Sequence, residues 1–362
     1  MNRIERYLGG VVVSYSLLVM LVLMVIFSFF EFMNQVAKLN ETYTIGLGAL
    51  YTLLKIPVYS FELFPIVLLI GTLMGLGSLA NQSELTILRV TGWSIKRILW
   101  AVLKTAFLMW IVMALIGEFV APQSEAYAKK MRAEALNQSF SIGSSSGLWV
   151  KDESRYIHVG RIISSQELRN IQIYDLENGH VKGLVQANQA TYENNQWLFK
   201  KVKQIDLDLI PADNLLPERI RYSRHDLKRV TEHFPLKPQD LTKLDIESRY
   251  LSAWDLYHYV QFLEDNGLDA SSYVLSLWRK IATPLVVLAM IVVVFPLIFG
   301  SMRQVSVGQR IFLGVLIGMG FNLINQLIGN ISVVYQLPIV LGAIGPSIIL
   351  LLLSWFWLRK ID

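Results

Sequence analysis

Six long apolar runs mark this chain, at roughly 8–33, 56–80, 98–120, 281–300, 309–329 and 335–358. Each approaches or exceeds the ~20 residues that a helix needs to cross a hydrocarbon layer ~30 Å thick. The pattern therefore predicts six membrane-spanning helices. Between the third and fourth runs the period changes. Tyr156-Ile157-His158-Val159 and Ile171-Gln172-Ile173-Tyr174 have strand-like composition, and Glu177-Asn178-Gly179-His180 supplies an Asn-Gly turn before Val181–Val185. Gln189–Tyr192 and Trp197–Val202 read as a second hairpin, and Ile205–Leu209 alternates again. Short strands at this spacing predict a sandwich or jellyroll. Residues 252–266 then read as a helix, with Leu256, Tyr259, Val260 and Leu263 on one face and Gly267 as its stop. The expected fold is an α-helical membrane protein with six transmembrane helices and a β domain inserted between helices 3 and 4. Its expected divisions are 1–121, 122–275 and 276–362.

Charge orients this arrangement. The chain has a net charge of +5, but residues 122–275 carry 19 Lys/Arg against 21 Asp/Glu, so the excess sits beside the spans. That is a topology signal, and it argues against a nucleic-acid surface. Arg3 and Arg6, then Arg89, Lys96, Arg97 and Lys104, then Arg303 and Arg310, then Arg359 and Lys360 fall on one side. Lys38 and Lys55 fall on the other, and Arg279 and Lys280 run against the trend. The balance predicts both termini in the cytoplasm and the large domain outside. The first apolar run is too long for the hydrophobic part of a signal peptide and is expected to stay as the first span.

Chemistry-bearing motifs are few. The absence of cysteine excludes disulfides and thiolate metal sites. Gly143-Ser144-Ser145-Ser146-Gly147 spells a nucleophile elbow, but it lies in a serine-rich stretch followed by strand-like Leu148-Trp149-Val150, so a loop is expected. The five histidines, all in the central domain, lack zinc spacing, and no phosphate-binding P-loop occurs. Any ATP driving this protein must be bound by another subunit. Glu31, Glu62 and Glu118 sit near span ends, where an ionisable side chain is a functional candidate that can also reach the interface. Gly71-x-x-x-Gly75-x-Gly77 and Gly314-x-x-x-Gly318-x-Gly320 predict close helix packing, within the bundle or against a partner. Asn322, Asn325 and Gln326 share one helix face, where interhelical hydrogen bonding is expected.

The segment 81–92 is the most informative. Asn81 and Glu84 fit a capping box and Gly92 a C-terminal stop, which predicts a short helix on the cytoplasmic side. Leu85 and Leu88, with Ile87 beside them, give it an apolar side that needs a membrane interface or a partner to cover it.

The whole chain resembles the LptF/LptG permease family of the lipopolysaccharide exporter, with its LptG branch the better likeness. The resemblance rests on Arg6-Tyr7, Tyr51-Thr52-Leu53-Leu54, the Gly71–Gly77 region, Ser83-Glu84-Leu85 and Gly117-Glu118-Phe119-Val120-Ala121-Pro122-Gln123. It continues through Gly147-Leu148-Trp149-Val150-Lys151-Asp152, Ile298-Phe299-Gly300 and the last span. It implies an inner-membrane permease subunit with a periplasmic β-jellyroll, paired with an LptF-type permease and served by an LptB-type ATPase dimer that binds ATP and Mg. It also implies an LptC-type periplasmic bridge protein that receives the lipopolysaccharide, and no cofactor on this chain. Residues 81–92 would be the coupling helix, with Glu84, Leu85, Leu88, Arg89 and Gly92 at the ATPase contact. The lipid would enter between span one of one subunit and span five of the other, along Phe27, Ile317 and Phe321, with Lys38, Lys129 and Arg132 meeting its phosphates. Glu31 departs from the family's pattern, which has a basic residue there. An LptF-type sister, or a permease for another envelope lipid or lipoprotein, is the alternative within this class. Outside it stand a membrane-anchored envelope hydrolase and an assembly factor, which ATPase co-purification would separate from a transporter.

Overall fold

The computed structural model describes residues 2–136, 148–152, 154–164, 166–177, 180–193, 196–210, 219–231, 234, 248–265, 269–301 and 306–360. The Gly143–Gly147 motif and the Asn178-Gly179 turn lie outside the described residues. The chain divides into two compact units, one of Met1–Ala128, Ser248–Tyr257 and Ser271–Asp362, the other of Lys129–Glu247 and His258–Ala270.

The first unit is a helical bundle. It contains α1 (Arg3–Val36), α2 (Ile45–Asn81), the short α3 (Glu84–Val90) and α4 (Ile95–Leu115). A π-turn, Ile116–Val120, joins α4 to α5 (Ala121–Ala135). After the sheet come α6 (Ala253–Asp265), α7 (Ser271–Pro296) ending in a second π-turn (Leu297–Ser301), α8 (Val307–Val334) and α9 (Ile339–Arg359). Six helices are long and apolar enough to cross a membrane: α1, α2, α4 with its continuation, α7, α8 and α9.

Small residues set the packing. The buried stripe of α1 is Leu8, Val12, Ser16 and Val19, spaced for one helix face. Ser16 meets Gly71 of α2 so closely that a Cβ there would stand 2.6 Å from the Ser16 Cα. On its other side α2 receives α8, whose Gly314 and Gly318 face Ile70 and Ile66. These glycines therefore pack helices within the chain, whereas Gly320 faces open space. Leu68, Leu69, Leu73 and Leu76 of α2 join Ile98 and Val102 of α4 and Met290, Ile291 and Phe295 of α7 in the core.

The second unit holds an antiparallel sheet of β1 (Leu148–Asp152), β2 (Arg155–Ser164), β3 (Glu167–Glu177), β4 (His180–Glu193), β5 (Gln196–Ile210) and β6 (Arg219–Thr231). The described strands pair in sequence order, a meander without the crossover between non-neighbours that a jellyroll adds. Ile157, Ile173, Val185 and Gln204 stand in register across four strands. Asn170 and Lys201 adopt left-handed backbone angles, and at each the inward alternation slips by one residue. The buried set thus passes from Leu168 to Ile171 and from Phe199 to Val202, which keeps Ile157, Ile173, Trp197 and Phe234 in one core.

Candidate functional site

The segment 81–92 forms the expected short helix, but not through the expected cap. α2 continues through Asn81, so Asn81 is helical, and Ser83 turns the chain in a left-handed conformation with φ 61°. The Asn81–Glu84 capping box is therefore a wrong expectation, because α2 outcompetes it for Asn81. Both side chains instead reach across the bundle. The Tyr7 hydroxyl of α1 donates to the Glu84 carboxylate at 2.8 Å. The Arg310 guanidinium of α8 donates to Asn81 Oδ1 at 2.7 Å. Arg310 is buried against Gly77, where any Cβ would collide with its guanidinium. Gly92 does stop the helix, at φ 93°, with the Trp93 N–H bonded to the Leu88 carbonyl at 3.0 Å.

The apolar side of α3 is another correction. Leu85 is buried and Leu88 packs against the bundle core, so this chain covers the side that seemed to need a partner. What remains uncovered is Ile87, 60% exposed, and Val90, 83% exposed. Beside them Arg89 lies over the Phe299 ring at 5.9 Å. Thr86, Arg89, Val90, Ile298 and Phe299 line a cleft of about 320 Å³.

Toward the other ends of α2 and α8 lies a second cleft, of about 190 Å³. Its floor is apolar, from Val58, Pro65, Ile66, Met290 and Phe321, and its polar wall comprises Glu62, Arg249, Arg279, Lys280, Asn322 and Asn325. Arg249 pairs with Glu62 at 3.6 Å and Lys280 with Glu118 at 3.6 Å. Glu118 also accepts the Ala253 and Trp254 N–H groups at 2.9 and 3.1 Å, and so holds the start of α6. Glu31 accepts from Gln35 at 2.6 Å and from the Tyr59 hydroxyl at 2.7 Å. All three carboxylates near span ends thus have internal ties. Arg279 donates to the backbone carbonyls of Asn325 and Gln326 at 3.2 and 3.3 Å. The bond between α7 and α8 therefore uses backbone where the sequence suggested amide side chains.

Of the sequence-predicted lipid contacts, Phe321 lines this cleft and Ile317 packs against the core. Phe27 lies elsewhere, its ring 5.9 Å from that of Tyr59. Lys129 and Arg132 are three residues apart on α5, in the second unit, and Lys38 is exposed just after α1, in the first. Lys55, counted from sequence as an outer-side cation, is instead buried, 2.7 Å from Glu125 and 4.9 Å from the centre of the Tyr250 ring.

Tyr7, Asn81, Arg310, Arg249 and Arg279 were not singled out as site residues by sequence reasoning. Their partners lie tens to hundreds of positions away, beyond any local period. The one available signal was the anomalous Arg279-Lys280 pair, which broke the charge asymmetry.

The chain matches the family described as lipopolysaccharide export system permease LptF/LptG over residues 6–360. The lipopolysaccharide export system permease protein LptG of Haemophilus influenzae is 32% identical over 365 residues, covering 99% of each chain. The protein of the same name from Escherichia coli K12 is 32% identical over 362 residues, covering 99% of this chain and 98% of its own. A match of this extent, spanning all six apolar helices and the sheet, places the chain in the LptF/LptG family of lipopolysaccharide export permeases.

Proposed function

We propose that this chain is the LptG-type permease subunit of an ATP-driven lipopolysaccharide exporter in the inner membrane of a Gram-negative bacterium. Both termini and α3 face the cytoplasm, and the sheet unit, counterpart of the family's β-jellyroll, faces the periplasm. An LptF-type permease completes the lipid cavity, an LptB-type ATPase dimer supplies ATP and Mg, and an LptC-type bridge takes the lipid onward. Uphill extraction is expected, since each acyl CH₂ contributes ~0.8 kcal/mol of membrane affinity. Lys38, Lys129 and Arg132 supply cations for the lipid's phosphates, and Phe27, Ile317 and Phe321 supply apolar contact.

The observation that carries this reading is the shape of α3. Its inner side is fixed to the bundle by Leu85 and by the Tyr7–Glu84 bond, while Ile87 and Val90 project uncovered beside a cleft. An apolar pair projecting from a short connection fits a protein partner. Glu84 then acts from within, positioning the helix, and Arg89 with the Ile87–Val90 ridge meets the ATPase. Ile87→Asp with Val90→Asp should abolish ATPase co-purification and export while the protein still inserts in the membrane. Co-purification of the ATPase at wild-type yield would remove α3 from the contact.

A further inference from the structure

We propose that the cleft between α2, α7 and α8 is a binding site for the phosphate head of a membrane lipid, with Arg279 as its principal contact. This deepens the permease reading, because Phe321, assigned there to the lipid, lines the cleft, yet it stands on its own observations. Three cations, Arg249, Arg279 and Lys280, line the cleft. Arg249 and Lys280 each have a carboxylate partner, Glu62 and Glu118. Arg279 has none among the described residues: Nη2 serves two backbone carbonyls, and its buried Nε has no hydrogen-bond partner there. A buried charged donor left unmatched is costly, and an anionic oxygen is the group that satisfies it best.

Asn325 lines the same cleft, and its Oδ1 is likewise buried without a partner among the described residues. The two ends of an Asn side chain are assigned from their bonding, so an anion in the cleft would turn the amide to present its NH₂ beside Arg279. One guanidinium N–H and one amide N–H then converge on a single acceptor group. The rest of the lining includes apolar Val58, Ile66 and Met290, so the group that fits is charged at one end and greasy at the other. The cleft's volume is about 190 Å³. That suits a head group and the first methylenes of a chain, with the rest of the lipid outside the cleft.

The test is native mass spectrometry of the full chain, with whatever subunits accompany it, released from neutral detergent. The probes are phosphatidylglycerol, lipid A, the corresponding diacylglycerol and inorganic phosphate. Retention of phosphatidylglycerol, lipid A or both over diacylglycerol supports the site, and the favoured probe tells whether the phosphate comes from bilayer lipid or from cargo. Arg279→Gln and Asn325→Asp should each weaken retention about tenfold or more, the loss expected for one charge-assisted hydrogen bond. Arg279→Lys keeps the charge and should retain more than Arg279→Gln, which separates a lost contact from a damaged fold. Lys228→Asp, exposed on β6 and outside both the cleft and the lipid contacts assigned above, should change nothing here. Equal retention of diacylglycerol, equal occupancy by inorganic phosphate, no retention of either lipid, or indifference to both Arg279→Gln and Asn325→Asp would each overturn the proposal. None of these readings depends on the ATPase, so the site can fail while the exporter reading stands, and the reverse.

Discussion

α1 and α7 are both long, strongly apolar helices, yet their surroundings are opposite. In the most apolar stretch of α7, 72% of the residues are buried within the chain; in that of α1, 17% are. Val287, Met290, Ile291, Val294 and Phe295 of α7 face their own bundle, whereas Leu17, Leu21, Val25 and Phe29 of α1 face outward. α2 sides with α7 and α8 with α1. Apolarity says that a residue leaves water, and in a membrane it does not say whether lipid, a partner or the chain itself receives it. The bundle is therefore a fixed pillar of α2 and α7 carrying two helices, α1 and α8, whose outer faces are open to exchange.

The strongest test strikes the pillar. Glu125→Ala strands the buried Lys55 ammonium among aromatic rings, and loss of one partner of a buried ion pair costs about 3–5 kcal/mol. Thermal unfolding in detergent should show a large fall in midpoint, and Leu21→Ala on α1 next to none. Similar losses from both would erase the distinction. A smaller effect is expected where α1 meets the pillar. Gly71→Leu drives a side chain into Ser16 and should cost at least ~1–3 kcal/mol, the usual range for overpacking, whereas Gly320→Leu enters open space and should cost little. The ratio of folded yields in membranes measures this. Smallest in energy is Tyr7→Phe, which removes one hydrogen bond from Glu84, worth about 1 kcal/mol. It should leave yield and ATPase co-purification intact while lowering lipid export per ATP. Unchanged coupling would reduce the Tyr7–Glu84 bond to a surface contact.

The spans were legible because hydropathy is a one-dimensional signal, and the glycine spacings because close approach needs a missing side chain at fixed intervals. The start of α2 was read eleven residues late. Tyr51, Thr52 and Lys55 look like a polar loop, and they are helical because Glu125, seventy positions on, neutralises Lys55 inside the bundle. The Gly92 stop followed from local backbone need, while the capping box failed because Asn81 had a longer helix to join and Arg310 to meet. Leu85 and Leu88 showed an apolar face, but which of Leu85, Ile87, Leu88 and Val90 ended inside depended on where α3 lay against the core, and no local pattern carries that.

The π-turn at Ile116–Val120 has a bearing on Glu125 that is best expressed as phase. A π-turn accommodates one residue more than an α-turn, and each residue of an α-helix advances about 100°. Everything after the turn is offset by that angle from the face that α4 alone would extend. Gly117, inside the turn, abuts the Phe61 ring so tightly that a Cβ there would strike it. Making the turn α-helical at unchanged length would swing Glu125 about 100° away from Lys55, whereas deleting one residue between Ile116 and Val120 would let the helix regularise with Glu125 still facing its cation. One local irregularity in hydrogen bonding thus sets the clock by which a distant carboxylate arrives at its cation.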